Sequence, residues 1–301
     1  MLRSALQRFL NKLNGSNRVV ARVDELRRVV EMSRIQDVRS DLDGLQVALR
    51  ECLDRLADLE AAAVENIPSR MAITTEHPVA INSDDHKYPR GVRNDDSRHP
   101  RFVKAIEQMF KRKVRHLDLG CAGGGLVLDF LLRGHESVGI EGSDFAQREQ
   151  RAEWRVIPRH LFTADITKPF SFGTADGARA KFEVITAWEV LEHIPEASLS
   201  GLCSNIRENL SEDGIFVGSI AMFEDGDPQT GAVWHVTVKP RDWWLEAFAM
   251  HGLEVVEGLF HVRDYVRGSG NPRVGPSGQW DWDAERNPEL GFHVSLKKRT
   301  G

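Results

Sequence analysis

Carboxylates close three successive apolar runs of this chain. Asp118 lies in Val114-Arg-His-Leu-Asp-Leu-Gly-Cys-Ala-Gly-Gly-Gly-Leu-Val127, Glu141 follows Ser137-Val-Gly-Ile140, and Asp165 lies in Phe162-Thr-Ala-Asp-Ile166. An ionised carboxylate accepts hydrogen bonds from a diol and attracts an ammonium group, so these positions suit a polar ligand carrying both. Glycines at 120, 123, 124 and 125 can take positive φ and admit a ligand to main-chain N–H groups. Leu126, Val127, Phe130 and Leu131 recur behind them at helical spacing, so a helix N-terminus faces that ligand. A second group follows. Glu189, Glu192 and His193 stand at i, i+3 and i+4, one face of the helix expected after the fourth apolar run, and His235 follows the fifth. A hydroxyl must lose its proton as it attacks, which needs a base or a metal nearby. Two carboxylates and two imidazoles could hold a divalent ion such as Mg or Mn. His193 or His235 could instead be a metal-free base, or both could be structural, and the spacing leaves these readings open.

The elements that position these groups alternate strand and helix. Gly120-x-Ala122-x-x-Gly125 with Glu141 beyond matches the dinucleotide fingerprint loosely. Asp118 discriminates, because it would repel a pyrophosphate at this turn, whereas the α-amino group of S-adenosylmethionine (SAM) is a cation that needs such a partner. From here the chain resembles the class I SAM-dependent methyltransferases over residues 86 to 266 and 291 to 298. The resemblance implies an α/β, Rossmann-like sheet of seven strands, the last antiparallel, to which the heptad spacing nearer the N-terminus adds a helical coiled coil. It assigns Asp118, Gly120, Cys121, Ala122 and Gly124 to the cofactor turn, with Ala122 where glycine is commoner and the bend therefore tighter. Glu141 and Gly142 would meet the ribose, Asp165 the adenine amino group, and Ile166 the purine face. Phe182 to Pro195 resembles the fourth strand and its following helix, with Trp188 beside the cofactor. Gly214 to Ile220 resembles the fifth strand, Leu253 to Val266 reads as the sixth and Gly291 to Leu296 as the seventh. In similar enzymes the segment holding Tyr88 and Arg98 folds over the cofactor, where Arg or Tyr can hold its carboxylate.

The Glu-x-x-Glu-His group with a later histidine is similar to the metal site of small-RNA 2′-O-methyltransferases and, in part, of quinone-pathway O-methyltransferases. Leu-Glu-His is also common in methyltransferases without metal. Asp84-Asp-His-Lys-Tyr-Pro, Asp95-Asp-Ser-Arg-His-Pro-Arg-Phe and His235-Val-Thr-Val-Lys-Pro-Arg-Asp-Trp-Trp resemble bacterial methyltransferases of surface-polysaccharide assembly. The expected reaction is thus O-methylation of a sugar hydroxyl on a glycan or nucleotide sugar. The alternatives are 2′-O-methylation of an RNA end and an inactive scaffold. No Asn-Pro-Pro-Tyr-type run follows the fourth strand, which argues against methylation of base amino groups. Trp280, Trp282 and Trp234 are candidates to stack on a sugar ring, whereas Trp243 and Trp244 read as core.

With 301 residues, 41% hydrophobic, and net charge −5, the chain can build one α/β domain and leave about a hundred residues for appendages. No apolar run approaches the ~18 residues of a membrane span, and the N-terminus lacks a secretory h-region. Three widely spaced cysteines, Cys52, Cys121 and Cys203, fit a reducing cytoplasm, and the mildly acidic balance offers no broad basic surface for duplex nucleic acid. The organisation reads as a helical region over 1–66, a linker or lid over 67–99 and the methyltransferase domain over 100–301. Within the first, Ile35, Val38, Leu42, Leu45, Leu49, Cys52, Leu56, Leu59 and Ala63 alternate steps of three and four, a coiled-coil seam that predicts homo-oligomerisation over packing on the same chain. Phase slips between Glu31 and Arg34, by a stutter or a break into two helices. Leu2, Ala5, Leu6, Phe9, Leu10 and Leu13 share one helical face beside Arg3, Arg8 and Lys12, which fits either a cap on the coil or weak attachment at the inner membrane surface.

Overall fold

The computed structural model describes residues 17–64, 67, 71–269 and 282–299. The basic amphipathic stretch before residue 17 and Trp280 lie outside the described residues. Two compact units result, Met1–Glu60 and Ala61–Gly301. Beginning in the first, α1 (Asn17–Val64) is one continuous helix through the phase slip at residues 31–34, so the chain does not break into two helices there. Ile35, Val38, Leu42, Leu45, Leu49 and Leu59 are each more than half exposed on it. Among the described residues no helix is long and apolar enough to cross a membrane.

The second unit follows the alternation seen in the sequence. After β1 (Met71–Thr75) come the short helices α2 (Asp84–Lys87) and α3 (Arg90–Asn94), then α4 (Pro100–Phe110), β2 (Arg115–Leu119), α5 (Gly125–Leu132), β3 (Glu136–Glu141), α6 (Phe145–Arg148) and β4 (Leu161–Thr163). The chain continues through β5 (Phe170–Thr174), β6 (Phe182–Trp188), α7 (Leu199–Asn209), β7 (Leu210–Ala221), the two-residue strands β8 (Gly226–Asp227) and β9 (Ala232–Val233), α8 (Arg241–Met250), β10 (Leu253–Val255) and β11 (Gly291–Lys298). Seven strands form the main sheet in the order β10-β11-β7-β6-β2-β3-β4, with β11 antiparallel to both neighbours and the β7-to-β4 run parallel. The expected α/β, Rossmann-like methyltransferase sheet is what forms.

Strand alternation sorts side chains onto two buried faces. Leu117, Leu119, Val138, Ile140, Ile185 and Ala187 pack with α7 and α8, while Val184, Trp188 and Val217 pack with Phe102, Ile106 and Phe130 of α4 and α5. Pro100 opens α4 at its first turn, where a missing N–H costs nothing. Trp244 is fully buried, as its core reading required.

Three sequence expectations are corrected. The sixth strand is Leu253–Val255 rather than a run to Val266; Gly258 turns the chain at φ +73° and a 3₁₀ turn occupies Val262–Asp264. Residues 67–99 are more than connection, because β1 pairs antiparallel with β5 over its whole length. Finally, no α-helix follows the fourth strand directly. Glu189 takes φ +56°, Leu191–His193 is a single 3₁₀ turn, and Ile194 is extended before Pro195, whose ring opposes helical continuation. Glu189, Glu192 and His193 therefore do not share a helix face.

Candidate active site

The glycine bend between β2 and α5 is left-handed at three positions, Gly120 (φ +69°), Ala122 (φ +45°) and Gly124 (φ +94°). Gly120 and Cys121 donate to the Ile140 carbonyl, tying the bend to the neighbouring strand. Ala122 is the strained member, because its Cβ crowds the following carbonyl in this conformation. Its N–H donates to Glu141 Oε2 (2.9 Å), and Ser143 N–H donates to Oε1 (3.2 Å). Burial pushes Glu141 up to about 7 against those two donors. A buried carboxylate with two fixed backbone donors and spare lone pairs suits a diol that donates both hydroxyls.

Behind the bend lies a buried chain of polar groups. Asp118 pairs with Thr186 in the β2–β6 register, and His116 pairs with Ser137 in the β2–β3 register. Thr186 Oγ1 donates to Asp118 Oδ1 (2.6 Å), so its oxygen must accept from His116 Nε2 (2.8 Å). His116 Nδ1 is then an acceptor for the Ser137 hydroxyl (2.8 Å). Burial depresses His116 well below its ordinary value, consistent with this neutral tautomer. Burial also raises Asp118 to about 7, against the Thr186 hydrogen bond and with help from Asp95 and Glu141. Such a carboxylate gains most from a cation placed beside it. On the next strand's exit, Asp165 Oδ1 accepts from Thr167 N (2.9 Å) and Thr167 Oγ1 (2.6 Å), leaving its second oxygen for an amino group, with Ile166 beside it.

A cavity of about 1660 Å³ opens across these strand ends. Gly120, Ala122, Glu141, Gly142, Asp165, Ile166 and Trp188 line it, as do Glu189, His193 and His235. The buried Nε1–H of Trp188 has no partner among the described residues. Cys121 faces elsewhere: its side chain packs at the site where a Cβ on Gly139 would sit, while Gly124 caps α5 beneath Leu161. Arg98 reaches the cavity wall with its Nε on Asp129 (2.7 Å) and Nη1 3.8 Å from Glu153. Tyr88 is 41% exposed and contributes its carbonyl, which accepts from Trp234 Nε1 (3.1 Å). Sequence reasoning did not single out Arg151 and Arg267, which line the same end. Arg151 donates to the Arg93 and Asp95 carbonyls, and Arg267 pairs with the Asp95 carboxylate. Nothing local marks either arginine, since the lid brings their partners from more than fifty residues away.

The other end of the cavity, around Glu189, Glu192, His193 and His235, is assembled from distant segments. Glu189 Oε1 accepts from Ser219 Oγ (2.7 Å) and Oε2 from Trp282 Nε1 (2.8 Å). Trp282 is 4% exposed and fills the space over Gly268 and Gly291, so it supports the site as core and is not a stacking face. Glu192 is fully buried, accepts from Ala221 N (3.1 Å), and leaves Oε2 without a partner among the described residues; burial and then Glu189 push it up. His193 Nδ1 is 2.9 Å from Asp85 Oδ2. Burial pulls this imidazole down, but Asp85 and the two glutamates outweigh it and hold it up at about 9. His235 Nδ1 donates to the Phe223 carbonyl (2.6 Å), which fixes the lone pair on Nε2, 4.0 Å from Glu192 and 3.9 Å from Asp225. Burial lowers His235 below 6.5, so it is neutral at pH 7. One ligand atom each from Glu192, His193 and His235 lies within 4.8 Å of the others, a spacing a divalent ion could span, and Glu189 is outside that group.

The lid closes over this end. Asp84 Oδ2 accepts from Val233 N (3.0 Å), and Arg90 sits 3.9 Å over the Trp234 ring while pairing with Asp225.

Residues 89–257 match the family model described as Methyltransferase domain. No curated protein sequence matches the chain. Among solved structures, the glycopeptide N-methyltransferase MtfA with sinefungin is 16% identical, with 68% of this chain and 88% of that chain covered, at a TM-score of 0.43. A TehB-like SAM-dependent methyltransferase from Corynebacterium glutamicum is 15% identical, covering 71% and 95%, at 0.43. The CcbJ methyltransferase from Streptomyces caelestis is 13% identical, covering 75% and 99%, at 0.45. At such identities nothing about the acceptor follows. The family match spans more than half of the chain, which therefore belongs to the methyltransferase-domain family and is a SAM-dependent methyltransferase.

Proposed function

We propose that the enzyme methylates a sugar hydroxyl of a glycan or nucleotide sugar, with His235 as the general base. SAM supplies an electrophilic methyl on a good sulfonium leaving group, so the protein must provide position and a proton acceptor. Asp118 anchors the ammonium, Glu141 the ribose, and Asp165 with Ile166 the adenine. The observation that carries the reading is the state of His235: a residue of the cavity wall, neutral by burial, with its Nδ1 proton committed to Phe223 O and its Nε2 left with a lone pair. As an acceptor hydroxyl attacks, Nε2 takes its proton. His193, held as an imidazolium by Asp85, orients the lid and is not the base. Phe223 and Asp225 line the acceptor side, an aromatic and acidic wall suited to a sugar's apolar face and hydroxyls, and Trp234, buried with Arg90 over its ring, backs that wall rather than offering a stacking face.

A second reading rests on the spacing of Glu192, His193 and His235, which could hold Mg or Mn to acidify a diol, as an RNA 2′-O-methyltransferase would. The test is mass spectrometry of candidate glycans and nucleotide sugars after incubation with enzyme and SAM, with and without chelator. One added methyl on a sugar, insensitive to chelator, is the expected result. Loss of activity with chelator favours the metal. Salt-dependent binding of RNA ends would favour that substrate instead, and absence of SAM binding would leave only a scaffold. Attachment to the inner membrane surface stays a separate proposal, tested by vesicle flotation of the full chain.

A further inference from the structure

Among the described residues of its own unit nothing covers the apolar stripe of α1, where six of its positions from Ile35 to Leu59 are more than half exposed. Its steps average 3.5 residues, against 3.6 per turn in a straight helix. A seam that holds this period wraps around another helix of comparable length. The span 35–59 is about 37 Å long, whereas α4 and α7, the next longest helices among the described residues, have 11 residues each and reach only about 16 Å. A second copy of α1 has the required length and period.

We propose that α1 pairs with α1 of a second copy as an antiparallel two-stranded coiled coil centred on residue 47. In this register position 35 layers with 59, 38 with 56, Leu42 with Cys52, and Leu45 with Leu49, so every seam residue is covered. Charge selects the direction. With the seam so placed, Asp41 and Arg55 both flank it, and antiparallel pairing sets Asp41 against Arg55 of the second copy, twice by symmetry, and Gln46 against Gln46. Parallel pairing would gain Arg55 with Glu60, but would set Arg39 against position 34, another arginine, and leave Asp41 opposite Gln46.

Cys52 provides a reporter, since its thiol is exposed while Cys121 and Cys203 are buried. Antiparallel helices hold the two Cys52 residues about 15 Å apart along the axis, beyond disulfide reach, whereas parallel helices bring them face to face. The experiment is sedimentation equilibrium of the full chain, with copper-phenanthroline oxidation read on a non-reducing gel. We expect a dimer, no Cys52 cross-link, and a monomer for Leu45→Asp whose SAM titration matches wild type. Asp41→Arg should weaken the dimer about tenfold, and adding Arg55→Asp should restore it. A monomeric wild type, a trimer or larger assembly, rapid Cys52 cross-linking, or failure of the double swap would each overturn the proposal.

Discussion

The two ends of the cavity, proposed for cofactor and for acceptor, are built differently. At the cofactor end, each carboxylate sits at or just past the exit of its own strand and is held by nearby backbone or ladder partners: Asp118 by Thr186 across one ladder, Glu141 by the N–H groups of Ala122 in the bend and Ser143 two residues on. At the acceptor end, His235 depends on Phe223, His193 on Asp85, and Glu189 on Trp282, partners separated by 12, 108 and 93 residues. A parallel sheet supplies the first end as soon as its strands pair. Loops that dock from elsewhere must assemble the second, so the cofactor end is the part a fold can share while the acceptor end is free to vary.

That contrast can be broken in measurable ways. The largest effect should come from His235→Gln, which keeps the side chain polar but removes the base: kcat should fall about 10²- to 10⁴-fold with the KM for SAM little changed. The wild-type profile sharpens this. His235 must be neutral to accept a proton and burial lowers its pKa, so kcat at saturating SAM, where the bound cofactor keeps Asp118 and Glu141 ionised, should fall only on acidifying below its ordinary 6.5. His193 is raised to about 9, so its pairing with Asp85 is complete below 6.5 and is lost as pH climbs through about 9, closing the window on the alkaline side. An acid limb above 7 would remove His235 as the base.

Next in size, Asp118→Ala should weaken SAM at least about 100-fold in calorimetric titration, because it strips the partner from a buried cation. Unchanged affinity would mean that the ammonium is held elsewhere. Thr186→Val tests whether the ladder positions Asp118. About tenfold weaker SAM binding is expected, with 5′-methylthioadenosine, which lacks the amino acid moiety, unaffected, and with Thr186→Ser recovering most of the loss. Equal weakening of both ligands would make Thr186 merely structural. The smallest effect is on stability. Ala122→Gly should raise stability by about 0.5–1 kcal/mol in thermal melts, since relief of left-handed strain exceeds glycine's entropic cost. A destabilised variant would show that the bend is not strained.

Legibility in the sequence tracks the same division. Asp118, Glu141 and Asp165 could be read from apolar runs followed by acids, because strand ends lie close in sequence to the residues they carry. Thr186 and His116 were equally local, yet an interior polar residue on a strand reads as an ordinary alternation until the register pairs it with Asp118. Glu189, Glu192 and His193 misled by their spacing, since an i, i+3, i+4 pattern implies a common face only within a helix. Pro195 and the left-handed Glu189 replaced that helix with one 3₁₀ turn. Arg151 and Arg267 gave no local signal, Asp85 stood within Asp84-Asp-His-Lys-Tyr-Pro with nothing to tie it to His193, and the place of Trp282 as core follows only from its burial against Glu189.

By itself the sequence determined the alternation of strands and helices, the glycine bend with its acid, and the heptad seam, because periodicity and backbone freedom are properties of neighbouring residues. Only the tertiary structure decided which histidine carries a free lone pair. Protonation and tautomer depend on burial and on hydrogen-bond partners, and those are chosen by segments that meet only after the chain has folded.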